Sequence, residues 1–153
     1  MREHTVRVRV RYGETDQGGV VYHPNYFLYF EAGRTELLRA AGVVYRELEQ
    51  SGVFLVVTEA SCTYRSAARY DDELHVTTTI DHVGKATIGF RYRVLGPQGT
   101  LLVEGNTVLA SVDSSKSPVR LPKKITDLLG KEARRGGETK ESGRESPGSD
   151  PEM

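Results

Sequence analysis

The residues that could do chemistry are gathered in one stretch. Asp16 sits in the loop GETDQGG, followed by Gly18 and Gly19, and His23 stands directly before Pro24. Proline is favoured at the first position of a helix, because the N–H it lacks would have found no partner there. The spacing therefore predicts a helix that opens at His23 or Pro24 and leaves main-chain N–H groups unpaired beside Asp16. Such an entrance favours an oxygen that carries negative charge. A carboxylate next to those donors is the least equipment acyl transfer needs: a base or nucleophile, and hydrogen bonds for the oxygen of the tetrahedral intermediate. The N–H of His23 is the first candidate donor and that of Tyr22 the second. Taken bare, Asp16 could as easily cap its own turn, and a single histidine is more often structural than chemical.

Other reactive side chains are scattered. Glu31 is a rival carboxylate two turns into the predicted helix, where Arg34 at i+3 would hold it in an ion pair. His4, His75 and His82 lack metal-ligand spacing. Cys62 is alone, which excludes an intrachain disulfide and any multi-cysteine zinc site. No Walker or dinucleotide-binding glycine pattern occurs. No metal site is expected.

The elements that must position Asp16 read as follows. Residues 5–12 alternate, with Val6, Val8, Val10 and Tyr12 on one side and Arg7, Arg9 and Arg11 on the other, a half-buried antiparallel strand. Tyr26, Phe30, Gly33, Leu37 and Ala41 then fall at helical spacing, a wide apolar stripe that ends at Gly42. Gly33 inside it points to close approach to a sheet. A short second helix follows over 44–50. From Phe54 onward strands are predicted, with Val56, Thr58, Ala60, Cys62 and Tyr64 sharing one face and Glu59, Ser61, Thr63 and Arg65 the other. Further strands span 74–83, 86–95 and 101–112, joined by turns at Gly84-Lys85 and Gly96-Pro97-Gln98-Gly99. Short turns make these antiparallel neighbours. The class is α+β, one sheet whose apolar face must be covered by the one sizeable helix. A short helix over 123–129 closes the domain. Residues 1–130 are assigned to that domain. Residues 131–153 form a charged tail with almost no apolar residue, predicted disordered.

Lys plus Arg and Asp plus Glu number 21 each, so no net field draws nucleic acid or an anionic membrane. The N-terminus lacks the apolar core of a signal peptide, and no run reaches the roughly 18 apolar residues a membrane span needs. A cytoplasmic protein is the expectation.

A resemblance is carried by Arg9, Val10, Thr15, Asp16, Gly19, Val20, Val21, His23 and Tyr26, which spell R-V-x4-T-D-x2-G-V-V-x-H-x2-Y. The pattern resembles the active-site motif of the 4-hydroxybenzoyl-CoA thioesterase family. Tyr22-His23 and the following FLYFEAGR are most similar to its branch of small bacterial acyl-CoA thioesterases found near Tol–Pal genes. The likeness extends more loosely through ARYDDEL, residues 68–74, to about Ser114. It implies a hotdog fold, a curved antiparallel sheet of about five strands wrapped around one central helix, in homodimers that assemble into homotetramers. It implies hydrolysis of an acyl-CoA, or of an acyl-carrier-protein thioester, with CoA as substrate or product and no cofactor. Asp16 and His23 would be catalytic, Asp16 as general base or nucleophile. Tyr22, Tyr26 and Gly19 would line the substrate site, and Arg65, Arg69 or Lys85 would meet the CoA phosphates. Two readings from other classes remain: a non-catalytic acyl-binding or regulatory module, and a scaffold.

Overall fold

The computed structural model describes residues 3–135. Five strands, β1 (Glu3–Arg9), β2 (Phe54–Tyr64), β3 (Glu73–Val83), β4 (Thr87–Leu95) and β5 (Leu101–Val112), form one antiparallel sheet in the order β1-β3-β4-β5-β2. The connections of β3 to β4 and of β4 to β5 close over Gly84 N–H to Thr87 O at 2.8 Å and Gly96 N–H to Thr100 O at 2.8 Å. Helix α1 (Tyr26–Ala40) lies across the concave face, followed by the short α2 (Tyr45–Gln50). This is the hotdog architecture.

Helix α1 is held by what its inner stripe meets. Tyr26, Tyr29, Phe30, Gly33, Leu37 and Leu38 are buried. The ring of Phe30 stacks on Tyr92 of β4, centroids 4.3 Å apart and planes 7° from parallel. Burial of each such side chain contributes about 1.5–3 kcal/mol. Gly33 is the point of closest approach: a Cβ there would collide with Thr78 Oγ1 and stand 3.1 Å from Val76 Cγ1. Both partners are fully buried on β3. The glycine costs about 1 kcal/mol of helix propensity, offset by the packing it permits.

The structure departs from the sequence reading in four places. The first strand ends at Arg9, and Tyr12 does not continue its inner face: it opens a 3-10 turn (Tyr12–Glu14) and is 79% exposed. A bulge at Thr58 shifts the register of β2 between Val57 and Glu59. One extra residue there turns the chain over. Leu55 and Val57 therefore share the inner face with Ala60, Cys62 and Tyr64, opposite Ser111, Leu109, Thr107, Gly105 and Val103, while Val56 faces outward. The entrance of α1 is a separate 3-10 turn (His23–Asn25), with the regular helix starting at Tyr26. Finally, α1 is not the only cover: α3 (Lys123–Arg135) buries Ile125 and Leu129 and packs on β3. The rest of the expected tail lies outside the described residues.

Gly33→Ala sets the helix-propensity gain of about 1 kcal/mol against an overpacking cost of about 1–3 kcal/mol. Because Thr78 and Val76 are buried and cannot withdraw, the variant should melt below wild type and Gly33→Leu should fail to fold. Thermal melts check this; a Gly33→Ala protein at least as stable as wild type would mean that α1 stands off the sheet.

Candidate active site

Strand β1 delivers the chain to the site. Beyond it, Val10 N–H bonds Asp72 O at 2.9 Å and Asp71 N–H bonds Val10 O at 3.0 Å, which ties the strand end to the segment preceding β3. After the 3-10 turn, Thr15 and Val21 form an isolated antiparallel bridge. Residues 16–20 are thereby pinched into a loop, closed by Asp16 N–H to Val20 O at 2.9 Å and Gly19 N–H to Asp16 O at 3.0 Å. Gly19 has φ +80, a conformation side-chain-bearing residues rarely adopt, so its glycine is required by the turn.

Asp16 is exposed at this loop. Its Oδ1 accepts the Gly18 N–H at 2.8 Å, the cap role weighed from the sequence, while Oδ2 engages no donor among the described residues. One oxygen is thus fixed by the loop and the other presented. Two residues beyond the bridge, the main chain enters the turn that opens α1. There Val21 N–H bonds Ala68 O and Tyr22 N–H bonds Glu14 O, both at 2.9 Å. Asn25 N–H bonds Tyr22 O at 2.9 Å, and Pro24 has none to offer. The N–H of His23 finds no acceptor among the described residues. Tyr22 is therefore excluded as a second oxyanion donor, its N–H being committed to Glu14, and His23 is left as the free one.

Two residues that the sequence reading did not single out, Glu14 and Tyr64, brace this entrance. Glu14 is the hub. Its carbonyl takes Tyr22 N–H and, at 2.8 Å, Asn25 Nδ2, while its Oε1 takes Arg11 N–H at 2.8 Å and the Tyr29 hydroxyl at 3.1 Å. Tyr64, at the end of β2, donates its hydroxyl to His23 O at 3.0 Å. Burial and the neighbouring Cys62 push that phenol up to about 12, so it remains a donor at any working pH. Tyr26, expected to line the substrate site, is instead core within the chain: it is 2% exposed, and its hydroxyl accepts Ala68 N–H at 3.3 Å. The His23 ring lies edge-on between Tyr22, centroids 5.1 Å apart, and Tyr64 at 5.9 Å. Only the adjacency of Glu14 to Thr15-Asp16 could have marked it in sequence.

The cations divide. Arg69 Nη1 comes within 3.9 Å of where a Cβ on Gly19 would stand, beside the Asp16 loop, with no ion pair among the described residues. Arg65 is engaged by Glu104, 2.9 Å from Nη2 to Oε2. Lys85 lies past the far end of β3, eleven residues and about 33 Å from the end that faces Asp16. Within one chain it does not join the site. Nor do Glu31 and Arg34 pair: among the described residues no carboxylate lies within 4.0 Å of Arg34.

Glu14→Ala should leave the buried Tyr29 hydroxyl without its acceptor, a loss of about 1–3 kcal/mol. Glu14→Gln, which keeps Oε1, should retain most of it. Urea denaturation of the pair checks this, and equal stabilities would remove Glu14 from the bracing role.

Comparison with known proteins bears on the family and the fold. Residues 10–129 match the thioesterase-like superfamily. The acyl-CoA thioesterase YbgC of Haemophilus influenzae is 41% identical over 121 residues, 77% of this chain and 88% of that protein. The acyl-CoA thioester hydrolase YbgC of Escherichia coli O157:H7 is 38% identical over 119 residues, 77% and 89%. Among solved structures, a Thermus thermophilus protein, TT1821, superposes with a TM-score of 0.79 at 38% identity, covering 84% of this chain and 95% of its own. A DHNA-CoA thioesterase from Staphylococcus aureus gives 0.78 at 25% identity, covering 90% and 92%. A motif of nine residues, a five-stranded sheet around α1 and a match over residues 10–129 converge on one conclusion: the chain belongs to the thioesterase-like superfamily.

Proposed function

We propose that the chain hydrolyses acyl-CoA thioesters to the free acid and CoA. The observation that carries this reading is the unpaired N–H of His23 at the helix entrance, next to a loop that presents Asp16 Oδ2. The N–H of His23 polarises the thioester carbonyl and holds the oxygen as negative charge develops on it. Asp16 delivers the attack, by taking a proton from water or by adding to the carbonyl itself. The leaving thiol, with a pKa near 8.5, departs without a general acid, so the absence of a serine or cysteine triad costs nothing. Tyr22 and the backbone of Gly19 border the acyl and pantetheine path, and Arg69 meets the phosphates. CoA is substrate and product, with no further cofactor. The names of the YbgC relatives support the same substrate class.

The site is completed by a second copy of the chain. Tyr22, Tyr64, Leu28 and Val57 are 50%, 44%, 56% and 49% exposed, a row of large apolar groups along α1 and the edge strand β2. An eleven-residue edge with one open side favours pairing with its own copy. Antiparallel pairing sets the partner's Phe54 end against this chain's Tyr64 end. Strand β4 begins near that end, since Thr87 faces Ala110 and Phe54 faces Val112. The hairpin bearing Lys85 would so reach the neighbour's CoA. Dimers pairing into tetramers, in the cytoplasm, are part of this reading.

Asp16→Asn should lower kcat by at least about 10²-fold with an unchanged melt. Release of free thiol from a series of acyl-CoA and acyl-carrier-protein thioesters measures it. Wild-type protein that retains acyl-CoA without releasing thiol would be a binding module instead. Single turnover in heavy-oxygen water separates the routes, since only a nucleophilic Asp16 takes up the label. Light scattering that finds a monomer would overturn the shared site.

A further inference from the structure

A groove of about 210 Å³ runs between α1 and β2, away from His23. Its walls are apolar, Phe27 and Leu28 from the helix and Val57 and Ala60 from the strand, and its far end carries Arg34, Glu31 and Thr107. It lies next to the site above: Ala60 shares the inner face of β2 with Tyr64, four residues away, and Phe27 follows His23 by one turn. Arg34 is half-buried at that end, whereas Glu31 is exposed. Thr107, opposite Ala60, belongs to a closed polar pair: the Tyr92 hydroxyl and Thr107 Oγ1 stand 2.6 Å apart, both residues buried. Arg34 and Thr107 line the same groove, and the Arg34 charge partly offsets the rise that burial imposes on the Tyr92 phenol. Within one chain, this half-buried cation has no carboxylate within 4.0 Å among the described residues, a charge without a counter-charge in an apolar groove.

We infer that Arg34 is a specificity residue that receives a terminal carboxylate on the acyl group, so that the preferred substrates are CoA thioesters of medium-chain dicarboxylic acids. This rests on the acyl-CoA reading above. Eleven residues separate His23 from Arg34, roughly 16 Å of helix at 1.5 Å per residue. Long side chains on a helix lean back over the turn before them, by less than its roughly 5.4 Å pitch, which brings the guanidinium to about 13 Å from the carbonyl site. About 4 Å of that is the guanidinium–carboxylate contact itself, and the remaining ~9 Å, at about 1.3 Å per carbon–carbon bond, is spanned by a chain of about eight carbons. The guanidinium fork meets a carboxylate through two parallel N–H···O bonds, a geometry a lysine reproduces only as a point charge. Glu31 is screened by water at the lip of the groove and opposes the same anion weakly.

The test compares kcat/KM for suberyl-CoA and octanoyl-CoA, equal in length and differing in the terminal carboxylate, in wild type, Arg34→Met, Arg34→Lys and Glu31→Gln. Wild type should favour suberyl-CoA. The ratio should fall at least about tenfold in Arg34→Met, recover in part in Arg34→Lys, and rise in Glu31→Gln. A wild-type preference for octanoyl-CoA, or a ratio unmoved by Arg34→Met, overturns the inference, and the wild-type comparison decides even if Arg34→Met does not fold. A parallel arm follows the melting shift given by suberate and by octanoate. If no thioester is cleaved while suberate still stabilises the wild type through Arg34, the acyl-CoA reading fails and the carboxylate site stands. If both thioesters are cleaved and suberate gives no Arg34-dependent shift, the reverse holds.

Discussion

The contact between Gly33 and Thr78 sets the distance from helix to sheet, and most of the site follows from that distance. With α1 pressed onto β3, Phe30 lies flat on Tyr92, and the next turn back brings Tyr26 under Ala68 and Tyr64. The N-terminus of the helix is then fixed by packing rather than by a cap: no side chain caps α1 or the turn before it. A conventional Ser or Asp cap would have bonded the orphan N–H groups. Leaving that role to Glu14 and Tyr64, which grip carbonyls and neighbouring donors, keeps the His23 N–H open. Stability at this point is provided around the donor, not through it.

Much of the fold was legible because two periods rarely imitate each other. The alternation of β3, β4 and β5 and the 3.6-residue stripe of α1 agree with the coordinates to within a residue or two. Beta-bulges have no such signature. Thr58 is an ordinary strand residue, and only its neighbours' pairing with Leu109 and Val108 shows that the chain turns over there. Tyr12 failed for a related reason: alternation predicts a face only while the strand lasts, and the strand ended three residues earlier. A helix was expected over 123–129, but its part as a second cover was hidden by the polar residues around Ile125 and Leu129.

The site was legible where a residue type has one purpose. Pro24, Gly19 and Asp16 in that spacing describe a helix entrance beside a carboxylate, and the main-chain bonds agree. Which N–H stays free could not be read, because that depends on where Glu14 O points. Tyr64 is forty-one residues from His23, and no local pattern links them. The cations were the least legible: Arg65, Arg69 and Lys85 are alike in sequence, yet one is neutralised, one lies by the loop and one is a strand's length away.

The ion pairs sort the arginines by side of the sheet. Arg7 and Arg9 meet Glu73, and Arg91 meets Asp81, all on the outer face, where exposure makes each pair worth at most about 1 kcal/mol. Such pairs do little for stability, but they cancel local fields. Arg69 by the loop and Arg34 in the groove are left uncancelled among the described residues. The net formal charge of zero is therefore not cancelled pair by pair: Arg69 lies by the Asp16 loop and Arg34 shares the groove lining with Glu31, neither of them in an ion pair among the described residues.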